Sequence, residues 1–242
     1  MKSDAAQQHR LINLAEIDSE LARLAYRGTH LAEQEILAQA RDSQRSAEDR
    51  LGTLSVALED IGAEVSRMES EIAAVRKREE RDRALLDSGS VQAKQLADLQ
   101  HEFETLARRQ ASLEDDLLEL MERQEQIAGE HAAAQHALQD LADAATAAGQ
   151  AVADALAAIE RERVAVQERR SSTLTGLDPD LLALYESQLA SAGKGAALLN
   201  AGRCGACGME LDRGEMARIT AAPSDDVVRC PECRAIMVRF SR

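Results

Sequence analysis

Aromatic rings are scarce in this chain: two Tyr, two Phe and no Trp, 2% of 242 residues. A compact globular core needs such bulky side chains, so an elongated architecture is favoured over a rounded one. Proline is nearly absent too, and all three (179, 223 and 231) lie beyond residue 178, leaving the preceding stretch without that helix breaker. No run approaches ~18 consecutive uncharged apolar residues, and Met1-Lys2-Ser3-Asp4 leads into polar residues with no apolar signal core. The expectation is a soluble cytoplasmic protein that makes no membrane contact.

What is present is apolar and charged in a regular way. The 45% apolar fraction is carried by alanine and leucine, both strong helix formers, and 30% of residues are charged. Net charge is −14. Residues 200–242 hold seven Arg against six acids, so residues 1–199 carry 22 basic and 37 acidic side chains, a balance of −15. A long acidic body repels phosphate backbones, which excludes nonspecific coating of DNA and confines any nucleic-acid contact to the arginine-bearing tail or local patches.

The apolar residues follow a heptad. Leu51, Leu54, Leu58, Ile61, Val65, Met68, Ile72 and Val75 step by three and four, the a/d seam of a coiled coil. A second run goes from Leu96 to Ile159 at the same steps, and sixteen of its nineteen positions are apolar. Gln110, Gln124 and His131 are the three exceptions. Between the runs, Leu86-Asp87-Ser88-Gly89-Ser90 reads as a turn with Ser90 as the N-cap of the second helix. Arms of about residues 5–86 and 91–171 are nearly equal, which predicts an intramolecular antiparallel hairpin with arms on the order of 120 Å. An earlier set, Leu14, Ile17, Leu21, Leu24 and Leu31, is out of phase with the later one, so a kink is expected near residues 27–31. Pairing about the turn places Gly28 opposite Gly149, inside a stretch (128–158) where fifteen of thirty-one residues are alanine and the coil buries little area per layer.

Turn chemistry gathers near the end, where seven of thirteen glycines lie at or beyond 176. Gly176 suits the left-handed end of one helix, and Asp178 and Pro179 suit the cap and first turn of a short helix from about 179 to 190. The division by motif is a hairpin over 1–173 and a short helix with a cysteine module over 174–242. Cys204-Gly205-Ala206-Cys207 and Cys230-Pro231-Glu232-Cys233 contain the four cysteines of the chain. Two such turns present four thiolates ~2.3 Å from one tetrahedral zinc, with backbone N–H groups supporting the sulfurs. Sulfur then fills every coordination position, so a single structural Zn2+ and no catalytic site is expected. The β-prone stretches Glu215–Thr220, Val227–Arg229 and Ala235–Phe240 fit the strands of a zinc ribbon, and Ser191–Gly202 reads as a hinge or an ordered strap. About forty residues bury too little area to fold alone, a deficit the metal makes good.

The hairpin followed by Cys-x-x-Cys, Leu211, Cys-Pro-x-Cys and an apolar strand resembles the bacterial C4-type zinc-ribbon and coiled-coil hairpin family, a domain family of unknown function that includes a flagellar sigma-factor chaperone. Leu14-Ala15-Glu16-Ile17-Asp18-Ser19-Glu20-Leu21, Leu99-Gln100-His101-Glu102-Phe103-Glu104 and Leu181-Leu182-Ala183-Leu184-Tyr185-Glu186 also fit it. The resemblance implies a mainly α protein with a small C-terminal β ribbon, zinc on Cys204, Cys207, Cys230 and Cys233, no enzymatic activity, and protein binding with RNA or DNA contact through the ribbon in relatives. One departure is Arg234-Ala235, where relatives usually have glycine; a non-glycine residue in a left-handed turn costs roughly 1 kcal/mol, so the second knuckle is expected to differ in shape. The flagellar role does not carry over, because no residue here testifies to it.

Two functions follow as expectations: a monomeric or weakly dimeric adaptor that binds partner proteins along the coil, or a nucleic-acid binder acting through Arg203, Arg213, Arg218, Arg229, Arg234, Arg239 and a stacking ring at Phe240. Charge weighs against the second, since seven arginines, six acids and a Zn(Cys)4 centre of −2 sum to −1.

Overall fold

A computed structural model describes residues 1–89 and 93–239. Its helices are α1 (Ala5–Thr29), α2 (Ala32–Asp87), α3 (Ala93–Leu174), α4 (Pro179–Ala192) and α5 (Arg213–Ala221). Its strands are β1 (Ala196–Asn200), β2 (Arg203–Cys204), β3 (Val228–Arg229) and β4 (Ile236–Val238). The chain is a long helical hairpin followed by a small β region, and among the described residues no helix is long and apolar enough to cross a membrane. Compactness does not follow sequence order: residues 1–34 and 150–242 form one unit and residues 35–149 the other.

Residues 35–149 are a two-helix antiparallel coil. Every seam position from Leu51 to Val75 is buried or partly buried, with Ile72 and Val75 meeting Leu106 and Leu113 in one cluster. On α3 the seam is covered in the same way, except for Leu96, which is exposed. The polar position His131 answers a polar neighbour, its Nε2 lying 3.1 Å from Ser55 Oγ across the seam, which favours this register over its slips. Arg76 pairs with Glu114 at 2.7 Å and Arg78 with Glu102, exposed ion pairs that add little to the apolar seam. Gly149 faces Leu37, not Gly28 as pairing about the turn implies. The Ser90 cap and the helix start at Val91 lie outside the described residues.

In the other unit the expected break falls at His30 and Leu31, between α1 and α2. Gly28, Thr29 and His30 are poor helix formers, and the Thr29 hydroxyl bonds back to the Tyr26 carbonyl at 3.0 Å. Tyr26 is exposed and stacks on the His30 ring at 4.0 Å. Here Arg27 reaches Glu162, and Ile17 and Leu24 of α1 pack on Ile159 and Val166 of α3. Arg10 donates to the carbonyls of Thr173, Thr175 and Gly176, closing the end of α3 with a cation where the helix dipole is negative. Gly176 has φ +79°, Asp178 caps α4 by accepting from the N–H of Asp180, and Gly193 ends α4 at φ +72°, all as the turn residues imply.

The sheet has the order β2-β1-β4-β3, with β1 parallel to β4 and the other pairs antiparallel. Two expectations are corrected. The segment 191–202 is ordered and not a hinge, and its Ala196–Asn200 is one of the two inner strands of this sheet. Glu215–Thr220 is not a strand but lies in α5, because the Asp212 side chain accepts from the Glu215 N–H and caps a helix. Successive residues of β4 serve two cores: Ile236 packs on Leu11, Leu14, Leu181 and Tyr185, and Met237 packs on Cys204, Cys230, Leu211 and Ile219. One strand thereby couples the helical base to the cysteine cluster. Gly195 is fixed by close approach, since a Cβ there would lie 2.4 Å from the buried Tyr185 ring.

Candidate metal centre

Each Cys-x-x-Cys turn forms a knuckle with the same backbone bonds. In the first, the Gly208 N–H donates to Cys204 O (2.8 Å) and the Cys204 N–H to Met209 O (3.0 Å). In the second, the Arg234 N–H donates to Cys230 O (3.0 Å) and the Cys230 N–H to Ala235 O (3.0 Å). Gly208 has φ +75° and Arg234 φ +62°, so arginine takes the conformation that glycine takes in the first knuckle, and the expected difference in shape is absent. The strain is local, and Arg234→Gly is expected to raise the ribbon's stability by up to about 1 kcal/mol, as thermal unfolding of the zinc-loaded protein would register.

The four Sγ atoms lie within 4.8 Å of one another. Cys204 and Cys233 are 3.8 Å apart and Cys207 and Cys230 3.9 Å, too far for a disulfide. A tetrahedron with ~2.3 Å metal–sulfur bonds has edges of about 3.8 Å, so the donor set fits zinc in number, type and spacing. These four residues would hold the ion, which supplies cross-linking of the two knuckles and leaves no position for a water. Burial pushes the Cys204 thiol up and the Cys233 thiol up to about 12, whereas the backbone N–H of Met209 holds the exposed Cys207 down.

Residues 14–193 match the CT398-like coiled coil hairpin domain, and residues 203–237 match the C4-type zinc ribbon domain. The chain belongs to the CT398-like coiled coil hairpin family. One relative, an uncharacterized protein of Mycobacterium tuberculosis (strain H37Rv), is 51% identical over 240 residues, covering 99% of this chain and 98% of that one. A solved structure from Mycobacterium smegmatis superposes with a TM-score of 0.89 at 48% identity over 99% of this chain and all of the other. CT398 of Chlamydia trachomatis shares the fold at TM-score 0.69 and 16% identity, covering 97% and 98% of the two chains. The matched families are coiled-coil and zinc-ribbon domains, and neither family's description names an enzymatic activity. In this member the ribbon carries one structural zinc site.

The arginines singled out for nucleic acid differ in exposure and in what they bond to. Arg239 is committed to the fold: its guanidinium donates to the carbonyls of Ile219, Ala222, Pro223 and Asp226 at 2.7–2.9 Å, tying the end of α5 and the loop that follows it to the end of β4. That corrects its assignment as a nucleic-acid contact. Arg203 pairs with Glu210 at 3.0 Å, and Arg229 Nε donates to Arg234 O. Arg213, Arg218 and Arg234 are exposed. Phe240 lies outside the described residues.

Spacing alone did not reveal the second polar cluster, beside the ribbon. Asp18 of α1 accepts from Arg170 Nε of α3 at 2.6 Å and from the Tyr185 hydroxyl of α4 at 2.7 Å, and Asp18 and Tyr185 are buried. Burial, then the bond to Asp18, raises the Tyr185 phenol well above its ordinary value, so it stays a proton donor. The sign of this pairing was present as a polar residue beside the apolar Leu14, Ile17 and Leu21, but its partners are more than 150 residues away.

Proposed function

We propose that this protein is a non-enzymatic adaptor of the cytoplasm that binds partner proteins along its coiled coil and offers the zinc ribbon as a second contact surface. The observation that carries this reading is the completeness of the internal packing. The α2–α3 seam is filled from within the chain and the cysteine cluster fits a closed metal site, so the outer helix faces are left for recognition. Four thiols kept for a metal also suit a reducing compartment.

The exposed Arg213, Arg218 and Arg234 support a second reading, in which the ribbon contacts RNA or DNA. The commitment of Arg239 to backbone carbonyls weighs against it. Affinity capture tests the two with the full chain and with its Arg213→Glu/Arg218→Glu/Arg234→Glu variant, each with and without nuclease. The full chain is used because Ile236 and Ala196 pack on Leu11 and Leu14, so deleting the ribbon would expose the helical base. Recovery of the same proteins in all four arms supports the adaptor. Loss of every partner on nuclease treatment or in the variant supports the nucleic-acid reading and refutes the first.

A further inference from the structure

Leu118 and Met121 lie on α3 outside the seam, which Leu113, Leu117 and Leu120 already fill, and they are 59% and 42% exposed. Three residues apart, they are neighbours on the helix surface. The other residues three and four positions from Leu118 are Glu114, Asp115 and Glu122, and Glu125 follows Met121 by four. An apolar pair is thus ringed by four carboxylates. Glu114 accepts from Gln110 and from Arg76, both at 2.7 Å, whereas Asp115, Glu122 and Glu125 make no ion pair among the described residues. The surrounding stretches 59–71 and 114–130 hold twelve acids against Arg67 and Arg123 alone.

We infer that this face of α3 docks an amphipathic helix of a partner protein, its apolar stripe covering Leu118 and Met121 and its flanking Lys and Arg meeting Asp115, Glu122 and Glu125. The inference rests on the adaptor reading and names the chemistry of its partner. Basic flanks follow from charge complementarity, which also steers the encounter and turns away acidic partners, nucleic acid included. A helix is favoured over an extended strand because the docking surface is itself a helix. Its backbone groups are already paired, so it has none to offer a strand, whereas an incoming helix satisfies its own.

The test is fluorescence anisotropy with the full chain and a labelled peptide of about eighteen residues, five helical turns, with leucines at i, i+3, i+4 and i+7 and lysines beside them. Comparison peptides carry glutamate in place of lysine, or the same residues with the leucines scrambled out of helical register. Saturable binding of the first peptide is expected, with binding about tenfold weaker or worse for both comparison peptides, for Leu118→Ser/Met121→Ser and for Glu122→Lys/Glu125→Lys. These four side chains are exposed, and circular dichroism checks that the variants stay folded. No binding of the first peptide, equal binding of the scrambled one, or undiminished binding by either variant overturns the inference. Capture of cellular proteins by the native chain and by Leu118→Ser/Met121→Ser separates it from the adaptor reading. If neither retains any protein, the adaptor fails; equal recovery by both refutes this surface alone.

Discussion

Serine in place of Cys230 is expected to abolish stoichiometric zinc and to unfold the ribbon, with the loss spreading into the helical base. Cys230 is buried at the centre of the cluster that holds Cys204, Leu211, Ile219 and Met237. A module this small gains most of its folding free energy from the metal, on the order of 10 kcal/mol for structural zinc. Because β4 presents Met237 to the cysteines and Ile236 to Leu11, Leu14 and Tyr185, losing the strand uncovers both cores. Elemental analysis should fall from one zinc per chain to none, and thermal unfolding should lose its highest transition. The same site gives a pH dependence. In the metal-free fold burial raises Cys204 and Cys233, so both hold protons at neutral pH that the metal must displace. Lower pH therefore opposes loading, and at least two displaced protons weaken the apparent affinity by about a hundredfold or more per pH unit. Chelator competition at several pH values measures the slope; a flat profile would mean the thiols are already ionised.

Features set by local chemistry are legible in the sequence. Except at Leu96, the heptad positions of α2 and α3 coincide with the covered face, because period and burial are the same fact in a two-helix coil. The α3–α4 junction was equally clear, since Gly176, Asp178 and Pro179 each act within a few residues of themselves. The cysteine spacing pointed to a four-sulfur cluster for the same reason.

What escaped depended on distant partners or on competing local signals. β1 reads as Ala-Ala-Leu-Leu-Asn between glycines, and its pairing with β4, some forty residues on, and with β2 makes it a strand. Glu215–Thr220 alternates enough to look extended, yet the cap on Asp212 decides for helix. The role of Arg239 could not be seen because a guanidinium bonded to four carbonyls and one facing solvent are the same letter. Arg234 shows the opposite case: its departure from glycine suggested an altered knuckle, but the bond from its N–H to Cys230 O and that from the Cys230 N–H to Ala235 O together outweigh the roughly 1 kcal/mol of backbone strain.

Alanine in place of Asp18 is expected to cost about 3–5 kcal/mol in urea unfolding, more than most single changes in the coil, because it strands the buried Tyr185 hydroxyl and the half-buried Arg170 guanidinium at once. The Arg170 guanidinium, 17% exposed, would keep only Glu186 at 3.6 Å, and the Tyr185 hydroxyl would have no acceptor. The native network is sensitive to base as well. The Tyr185 phenol is raised above the ordinary value of 10.0, so its contribution is fully present below about pH 10 and is lost as pH rises through the higher folded value. Replacing the whole network with apolar groups, Asp18→Leu/Arg170→Met/Tyr185→Phe, should return stability to within about 1 kcal/mol of the native protein, since a buried ion pair gains little over hydrocarbon of similar volume. If the triple variant stays as unstable as Asp18→Ala, the three groups contribute through packing and not through their charges. If it recovers, the value of the network is specificity. Asp18 then joins α1, α3 and α4 in one arrangement, and that arrangement holds Tyr185 over Gly195 at the start of the strand that joins the helical base to the zinc ribbon.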